Sequence, residues 1–468
     1  MTTTPRTTKT LKLGAVLIGV GDSSASELWR DDAVPLDASV NLQWYVQQAK
    51  EAEAARFDFL FIVDSQYITS AYPHHHLNRF EPLTLLSALA TVTQRIGLIA
   101  TVSTTYGEPF ETARRLASLD LISDGRAGWN IVTSQDAGTA SNFSRIEHGD
   151  YQTRYRRAAE AVDVVTGLWN SYESGAFATS RQAPAFLDKH KLHALDHQGE
   201  FFSVKGPLNI ARSRQGQPPL VQAGTSPEGR DLSARVADVV FSFARTPGES
   251  LELAADVRRR AREYQRNVDE ILFMPALNVV IADTLEEAAR IEASRSAALS
   301  LEKMHEALSR QFNGRDFRHC PLDEPFPVID GADASSSGLT QFRDEIEQGR
   351  QRGQTLRQVL YSLQTPWLRL VGTPESITDE IERWHASGAA DGFNVFVHHP
   401  QDWARFREQV VPLLRQRGLV DDDYQGVTLR EHLGISVPDH RHAGLHPEAP
   451  VEAAGAPAVE TAREALPG

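Results

Sequence analysis

Residues 119–134, Leu-Asp-Leu-Ile-Ser-Asp-Gly-Arg-Ala-Gly-Trp-Asn-Ile-Val-Thr-Ser, place polar side chains where a strand ends. The segment is typical of a helix end, a glycine turn and a short buried strand. Asn130, Thr133 and Ser134 are hydrogen-bonding groups. In an α/β barrel the active site lies at the carboxyl ends of the strands, so we expect these groups to contact a ligand.

Similar polar groups follow other predicted strands. Asp64 ends the apolar run 59–63, and Ser103-Thr104-Thr105 follows the run 96–102. Taken singly, Asp64 is better explained as a group that caps a helix or binds a backbone N–H. Asn130 could satisfy backbone groups at the top of the barrel, and Ser134 could be a turn residue. Their joint placement at successive strand ends favours a shared ligand.

The segment 224–230, Gly-Thr-Ser-Pro-Glu-Gly-Arg, follows a strand and opens a helix. Free backbone N–H groups at a helix start, with the hydroxyls of Thr225 and Ser226 and the guanidinium of Arg230, can bind a phosphate monoester. An ordinary capped βα turn explains the segment equally well.

Several other site types lack their residues. The segment 19–24, Gly-Val-Gly-Asp-Ser-Ser, has Ser24 where a dinucleotide fingerprint needs its third glycine, and Asp22 would repel a pyrophosphate. The sequence contains no Gly-x-Ser-x-Gly elbow and no Walker loop. Histidines 74–76 leave open a metal-dependent barrel hydrolase, although loop histidines are the better explanation.

The elements that position these groups alternate between short apolar runs and longer helical patterns. Eight predicted strands end near residues 20, 63, 102, 132, 223, 243, 281 and 397, which predicts a (β/α)8 TIM barrel. A doubly wound open sheet is the alternative. We expect one barrel domain over 11–436 with insertions at about 170–219 and 299–365, a disordered N-terminus over 1–10 and a flexible tail over 437–468.

Composition restricts the partners. The net charge of −14 argues against nucleic acid, and no apolar run approaches the 18 residues of a membrane span. Cys320 is the only cysteine, which excludes an internal disulfide and a cysteine-based metal site. We expect a cytoplasmic protein.

Several of these motifs together resemble a known family. The segments 57–64, 100–106, 125–134, 154–155, 222–227, 424–426 and 428–434 are similar, in order and approximate spacing, to flavin-dependent monooxygenases related to bacterial luciferase. The similarity is to the branch of the nitrilotriacetate and dibenzothiophene-sulfone monooxygenases. It implies a two-component system in which a separate NAD(P)H:flavin reductase supplies reduced FMN, and O2 and a small organic molecule are the substrates.

The resemblance also assigns roles to residues. Asp64 would contact the flavin edge, and Ser103, Thr104 and Ser134 the isoalloxazine, while Thr101 and Asn130 would place O2 beside it and act as the catalytic residues. Tyr155, Thr225 and Ser226 would hold the phosphate end. Tyr151 stands where the family usually has histidine, with His148 three positions earlier; a phenol can donate a hydrogen bond there but cannot act as a near-neutral acid or base.

Aromatic residues in the loops and insertions suggest the substrate. If they line the pocket, they favour an apolar or aromatic substrate and cleavage of a C–S, C–N or C–halogen bond; if they pack small local cores, they say nothing about it. A deazaflavin-dependent oxidoreductase on the same fold is a further alternative. The family suggests a homodimer or homotetramer. The aromatic residues are Tyr67, Tyr72, Phe143, Phe186, Phe312, Phe317 and Phe326.

Overall fold

The structure is a computed structural model. It describes residues 10–22, 24–70, 72–297, 301–312, 314–328, 346–347, 349–362 and 367–442, without the side chains of 303, 310, 311 and 362. The predictions for residues 1–9 and 443–468, and for the middle of the second insertion, lie outside the described residues.

Parallel strands form a closed barrel. Its neighbours run in the order β1-β2-β3-β4-β5-β6-β7-β9, and β9 returns to β1 with six paired residues. The strand β8 pairs instead with the carboxyl half of β7. The strands are β1 (Lys12–Leu17), β2 (Phe59–Ile62), β3 (Gly97–Ser103), β4 (Ala127–Val132), β5 (Leu220–Gln222), β6 (Val239–Ser242), β7 (Leu272–Ile281), β8 (Leu368–Gly372) and β9 (Gly392–Val397).

Helices cover the outside of the barrel. Several begin as the sequence requires, with proline in the first turn and a Thr, Ser or Glu side chain accepting from the first backbone N–H groups. They are α1 (Leu42–Ala54), α2 (His74–Leu77), α3 (Pro82–Ala90), α4 (Pro109–Ile122), α5 (Thr139–Asn142), α6 (Tyr151–Leu168), α7 (Pro227–Val236), α8 (Pro247–Glu263), α9 (Leu285–Ala297), α10 (Leu301–Gln311), α11 (Leu356–Ser362), α12 (Pro374–Ala386), α13 (Pro400–Arg405), α14 (Val411–Gln416) and α15 (Leu429–Leu433).

The predicted TIM barrel is confirmed, and the eight predicted strands are the eight strands of the closed ring. The open-sheet alternative is wrong because β9 pairs with both β1 and β7. The sequence reading missed β8, a five-residue strand that directly follows the polar second insertion. Among the described residues, no helix is both long enough and apolar enough to cross a membrane.

Two apolar layers stabilise the barrel. Inside it, Phe59, Phe61, Phe241 and Met274 belong to one buried cluster. Between the strands and the helices lies a larger cluster that includes Trp129. Each fully buried side chain of this size contributes roughly 1.5–3 kcal/mol relative to exposure. The rigid ring holds the strand ends, and therefore the candidate site, in place.

The helix α15 closes the amino end of the barrel. Leu429 and Leu433 belong to the cluster inside the barrel, and the amide of Leu429 donates to the carbonyl of Gly125 at 3.0 Å. A Cβ added at Gly97 would lie 2.4 Å from Leu429 Cδ1, and one at Gly128 would lie 3.2 Å from Cδ2. The glycines in β3 and β4 therefore leave the space that Leu429 fills.

The second insertion has its own small core. Phe312, Phe317 and Phe326 are buried and pack against one another with ring centroids 5.5–6.1 Å apart. Leu308 and Val359 complete this cluster. For these three phenylalanines the structure supports the local-core explanation, so their presence carries no information about the substrate.

The closure at α15 makes stability sensitive to acid. His432 is 1% exposed, and burial, followed by the charges of Arg95 and Lys12, lowers its pKa from 6.5 to about 4. The unfolded chain therefore binds the proton more readily, and this stability, present above pH 6.5, is lost as pH falls towards 4. We expect His432→Gln to abolish about 2–3 kcal/mol of the acid-dependent loss between pH 7 and pH 4.

Urea unfolding at both pH values measures this loss. The matched control is His190→Gln, since His190 is exposed and should leave the pH dependence unchanged. Equal pH dependence in the His432 variant and the wild type would contradict the assignment.

Candidate active site at the barrel mouth

The strands β3 and β4 place Thr101 and Asn130 side by side. The two residues are paired in the sheet register, and both are buried. Asn130 Nδ2 donates to Thr101 Oγ1 at 2.9 Å. Asn130 Oδ1 has no hydrogen-bond partner among the residues that the structure describes. A buried acceptor without a partner is unfavourable, so it indicates a site for a ligand donor.

Serine hydroxyls lie at the ends of the same two strands. Ser103 Oγ and Ser134 Oγ are 2.8 Å apart, and the amide of Thr105 donates to Ser103 Oγ at 3.3 Å. Thr104 differs: its amide and its hydroxyl both donate to the carbonyl of Val132, at 3.0 and 3.2 Å. Its hydroxyl therefore holds the strand end, which leaves less of it available to a ligand.

The segment after β5 meets the start of α6. Ser226 Oγ caps α7 by accepting from the amide of Gly229 at 3.0 Å, and the Tyr151 hydroxyl donates to the same oxygen. The rings of Tyr151 and Tyr155 are 4.9 Å apart. Burial raises the pKa of Tyr151, so its phenol stays protonated and remains a donor.

The backbone at Gly224 lies close to side chains of the same region. A Cβ added at Gly224 would lie 2.7 Å from Tyr155 Oη and 2.8 Å from Gln222 Nε2. The carbonyl of Thr225 accepts from Arg230 Nε at 2.7 Å. Polar groups and the N-terminus of α7 lie together here, which fits an anion site. The contacts fit the capped βα turn as well, since Ser226 caps α7 and Arg230 Nη1 lies 3.4 Å from Asp256 Oδ2.

Asp64 lies after β2 in an ion pair. Its Oδ1 is 3.1 Å from Arg79 Nη2, and Arg79 also donates to the carbonyl of Ser65 at 3.0 Å. Burial raises the pKa of Asp64 and Arg79 counteracts it. Asp64 does not cap a helix, because Glu81 caps α3 and no side chain caps α2, but it does accept from the backbone N–H of Ser65, as the alternative explanation allowed. Arg79 is a partner that sequence reasoning missed.

Three further contacts were not predicted from the sequence. Tyr106 Oη lies 2.5 Å from His148 Nδ1. The Tyr106 ring stacks on the Phe143 ring, with the two ring centroids 4.8 Å apart. Arg154 Nη1 donates to the carbonyl of Gly149 at 2.7 Å. In the sequence, the position of His148 three residues before Tyr151 indicated that this histidine could belong to the site. Its contact with Tyr106, which follows β3, depends on the fold.

The loops after β1 and β9 also meet at this mouth. His398 Nε2 is 3.2 Å from Asp22 Oδ2, and the amide and the hydroxyl of Ser24 both donate to Asp22 Oδ1 at 2.8 Å. Burial alone would raise the pKa of Asp22, but His398 and Ser24 hold it below its usual range. Asp22 therefore lies in buried contacts with His398 and Ser24, which its place in an incomplete glycine motif does not suggest.

The three histidines after β2 make contacts with protein groups. His74 Nδ1 lies 2.9 Å from the carbonyl of Ser26, and the amide of Gly19 donates to His75 Nδ1 at 3.2 Å. A metal ligand must offer its lone pair, and that of His75 Nδ1 already accepts from the backbone. The metal-dependent hydrolase is therefore not favoured.

Comparison with known proteins decides the family. The profile of the luciferase-like monooxygenases matches residues 27–391, which is well over half of the chain. The chain belongs to the luciferase-like monooxygenase family. It is a flavin-dependent monooxygenase, as the resemblance implies.

Relatives in this family align over nearly the whole chain. N-acetyl-S-(2-succino)cysteine monooxygenase of Bacillus subtilis is 42% identical over 93% of this chain and 99% of that protein. Component A of the nitrilotriacetate monooxygenase of Aminobacter aminovorans is 36% identical over 88% and 93%. A solved riboflavin lyase with modified FMN and riboflavin superposes with a TM-score of 0.82 at 29% identity, covering 93% of this chain and 98% of that one.

The cofactor of this two-component branch is reduced FMN from a separate reductase. The residues at the barrel mouth of this luciferase-like monooxygenase fit a bound flavin. Asn130 Oδ1 offers a buried acceptor without a protein partner among the described residues, and the space at Gly224 lies beside Tyr155 Oη. A deazaflavin oxidoreductase is not favoured, because the relatives that cover the chain at 42% and 36% identity are monooxygenases.

Proposed function

We propose that the chain oxygenates a small organic substrate with reduced FMN and O2 and cleaves a carbon–heteroatom bond, in the first instance C–S. The observation that carries the proposal is Asn130 Oδ1, a buried acceptor with no partner among the described residues, held against Thr101 on the same barrel face as the hydroxyls of Ser226 and Tyr151. Reduced flavin supplies the activation of O2.

The described contacts support a division of the flavin site. Asn130 and Thr101, with Ser103 and Ser134, would hold the ring system, since all four lie on β3 and β4 or just beyond them. Asp64, with its charge balanced by Arg79, would contact the ring edge.

The loop after β5 and the start of α6 would bind the phosphate. Tyr151 and Ser226 are joined by a hydrogen bond, Tyr155 adds a second hydroxyl, and Thr225 adds backbone and side-chain groups at the start of α7. Thr104 would act indirectly by holding the end of β3 against β4. In a water-excluded mouth such fixed polar groups orient the reactants without reorganisation.

The C–S preference comes from a relative. The Bacillus subtilis protein at 42% identity is named for a cysteine thioether that carries carboxylates. The apolar or aromatic substrate that the sequence suggests stays a prediction with less support: three of its seven aromatic residues form a separate core, and Phe186 is 74% exposed. C–N and C–halogen cleavage remain outcomes of the test below.

Three further proposals follow the same family. We propose a single barrel domain over 11–436. The first insertion ends on the side of the barrel opposite the mouth, because it leads into the amino end of β5, where the carbonyl of Gln217 accepts from Arg430. A homodimer or homotetramer is the proposed assembly. The proposed partner is an NAD(P)H:flavin reductase that delivers reduced FMN by diffusion.

An ¹⁸O2 incorporation assay tests the function. The protein is supplied with reduced FMN by any flavin reductase and given N-acetyl-S-(2-succino)cysteine, nitrilotriacetate, dibenzothiophene sulfone or a haloaromatic compound. We expect one ¹⁸O atom in the product of at least one compound, with loss of its sulfur, nitrogen or halide group. Reductase and FMN without the protein form the control. Absence of ¹⁸O from the organic products of every compound, as in this control, would contradict the proposal.

A further inference from the structure

His75 is an almost fully buried histidine that the flavin site does not use. It lies on α2, directly after β2, and is 1% exposed. Two groups of the loops after β1 lie against its Nδ1: the amide of Gly19 at 3.2 Å and the hydroxyl of Ser39 at 2.9 Å.

These contacts determine the tautomer of His75. A backbone amide can only donate, so Nδ1 must present its lone pair to Gly19, and the ring proton lies on Nε2. Protonation of Nδ1 would place two N–H groups against each other. Burial also lowers the pKa of His75 to about 3. The imidazole is therefore a neutral donor whose N–H is on Nε2.

This Nε2–H group lacks an acceptor. Nε2 is buried and makes no hydrogen bond within the described parts of the chain. Buried donors in native proteins are nearly always paired with protein, water or ligand. The lone donor at the mouth of an enzyme barrel thus indicates an acceptor that arrives with a ligand.

The groups around His75 indicate the chemical class of that ligand. The charged groups that act on the ring belong to His76, Arg79, Asp22 and His398, and Asp22–His398 and Asp64–Arg79 are already paired. A second donor, Trp367 Nε1, is also buried without a partner among the described residues. Its ring stacks on Phe396 at 4.6 Å, and Phe396 lies 5.5 Å from the His398 ring. This half of the mouth offers donors and no unpaired carboxylate among these groups.

We propose that His75 is a specificity-determining residue whose Nε2–H donates a hydrogen bond to a carboxylate of the substrate. The inference rests on the proposed function and adds the substrate class, an organic molecule that bears carboxylate groups. The substrate, rather than the flavin, is the acceptor because the flavin-directed groups other than Asp64 lie after β3, β4 and β5, whereas Asp22 and His398, the groups beside His75, lie after β1 and β9. Asp64 follows β2, as His75 does, but its carboxylate is paired with Arg79.

Two substitutions of His75 separate the donor from the packing. In His75→Asn the amide oxygen can still accept from Gly19, but no donor reaches the position of Nε2. In His75→Gln the longer side chain returns an N–H group to that position. His190→Gln, at an exposed histidine, is the control.

Binding of N-acetyl-S-(2-succino)cysteine to the full chain with oxidised FMN is measured by isothermal titration calorimetry. We expect His75→Asn to raise the Kd of this probe at least 10-fold, since hydrogen bonds to charged groups are the strong ones. His75→Gln should stay within about 3-fold of the wild type. The Kd of FMN should be unchanged in both variants.

Other results overturn the inference. An unchanged probe Kd in His75→Asn would mean that water accepts from Nε2, and a raised Kd of FMN would mean that the flavin does. A wild type that does not bind the probe but oxygenates dibenzothiophene sulfone would overturn the carboxylate class and leave the proposed function standing. If no compound gave ¹⁸O incorporation but binding of the probe still depended on His75, the proposed function would be wrong and the carboxylate site would stand.

A measurement on the wild type covers the case in which His75→Asn does not fold. In protein labelled with ¹⁵N-histidine, the resonance of His75 Nε2, assigned by its loss in His75→Gln, should shift when the probe is added and stay in place when FMN alone is added. A resonance that does not respond to the probe would overturn the inference.

Discussion

Replacing Asn130 by alanine is expected to lower kcat about 100-fold or more while the chain still folds. The side chain is fixed by its hydrogen bond to Thr101 at 2.9 Å, and its free Oδ1 is buried. Losing one preorganised polar group from a water-excluded active site typically costs about 10²–10³ in kcat. The measurement is the rate of substrate-dependent ¹⁸O incorporation at saturating reduced FMN, with the Kd of FMN determined separately by fluorescence quenching.

Substitutions of Thr101 form the matched control. Thr101→Val removes the acceptor that orients Asn130 and should lower kcat about 10-fold, whereas Thr101→Ser keeps the hydroxyl and should remain near the wild type. If Asn130→Ala binds FMN and retains the wild-type rate, the catalytic assignment of Asn130 is wrong.

Replacing Arg430 by methionine is expected to lower the free energy of unfolding by about 3–5 kcal/mol. The guanidinium is 2% exposed and donates to the carbonyls of Gln217 and Ser436 at 2.6 and 2.8 Å. Its Nη2 is 3.0 Å from Asp238 Oδ2, which also accepts from the amide of Leu220 at 2.9 Å. Removal of the cation leaves the Asp238 carboxylate and two carbonyls with fewer donors. Urea denaturation followed by circular dichroism measures the change.

A second substitution tests the cause. Without Arg430, the cationic partner that remains for Asp238 is Arg266, with Nη2 3.7 Å from Oδ1. Asp238→Asn in the Arg430→Met background removes this poorly compensated charge and should restore part of the loss. Arg259→Met, which removes an exposed guanidinium paired with Asp256, is the control and should change the free energy of unfolding much less. A loss for Arg430→Met no larger than that of the control would contradict the view that this contact holds α15 against the barrel.

Much of the fold was predictable because local patterns specify it. The eight ring strands are short apolar runs, and the helices between them carry proline starts and polar caps that act within a few residues. The placement of Asn130, Ser103 and Ser226 at the same end of the barrel was also predictable, since in a parallel barrel every strand ends at the same face. The strand β8 was missed because a single five-residue run after a polar insertion has too little pattern to be distinguished from a loop.

The remaining site contacts join segments that are distant in the chain. Asp22 and His398 lie in the first and the last βα loops and become neighbours only because β9 closes against β1. The motif around Arg430 was recognised by resemblance without a physical role, and its role at the amino end of the barrel follows from contacts with Gly125 and Asp238.

The barrel, the family and the polar groups at the strand ends can be inferred from the sequence, because periodicity and motif spacing are local properties. Which of those polar groups already have hydrogen-bond partners within the protein can be seen only in the folded chain. The tautomer of His75 depends on the amide of Gly19, 56 residues earlier, and the free acceptor of Asn130 depends on Thr101 in the next strand. Hydrogen bonds across the chain, rather than residue types, separate the groups that hold the fold from those left for a ligand.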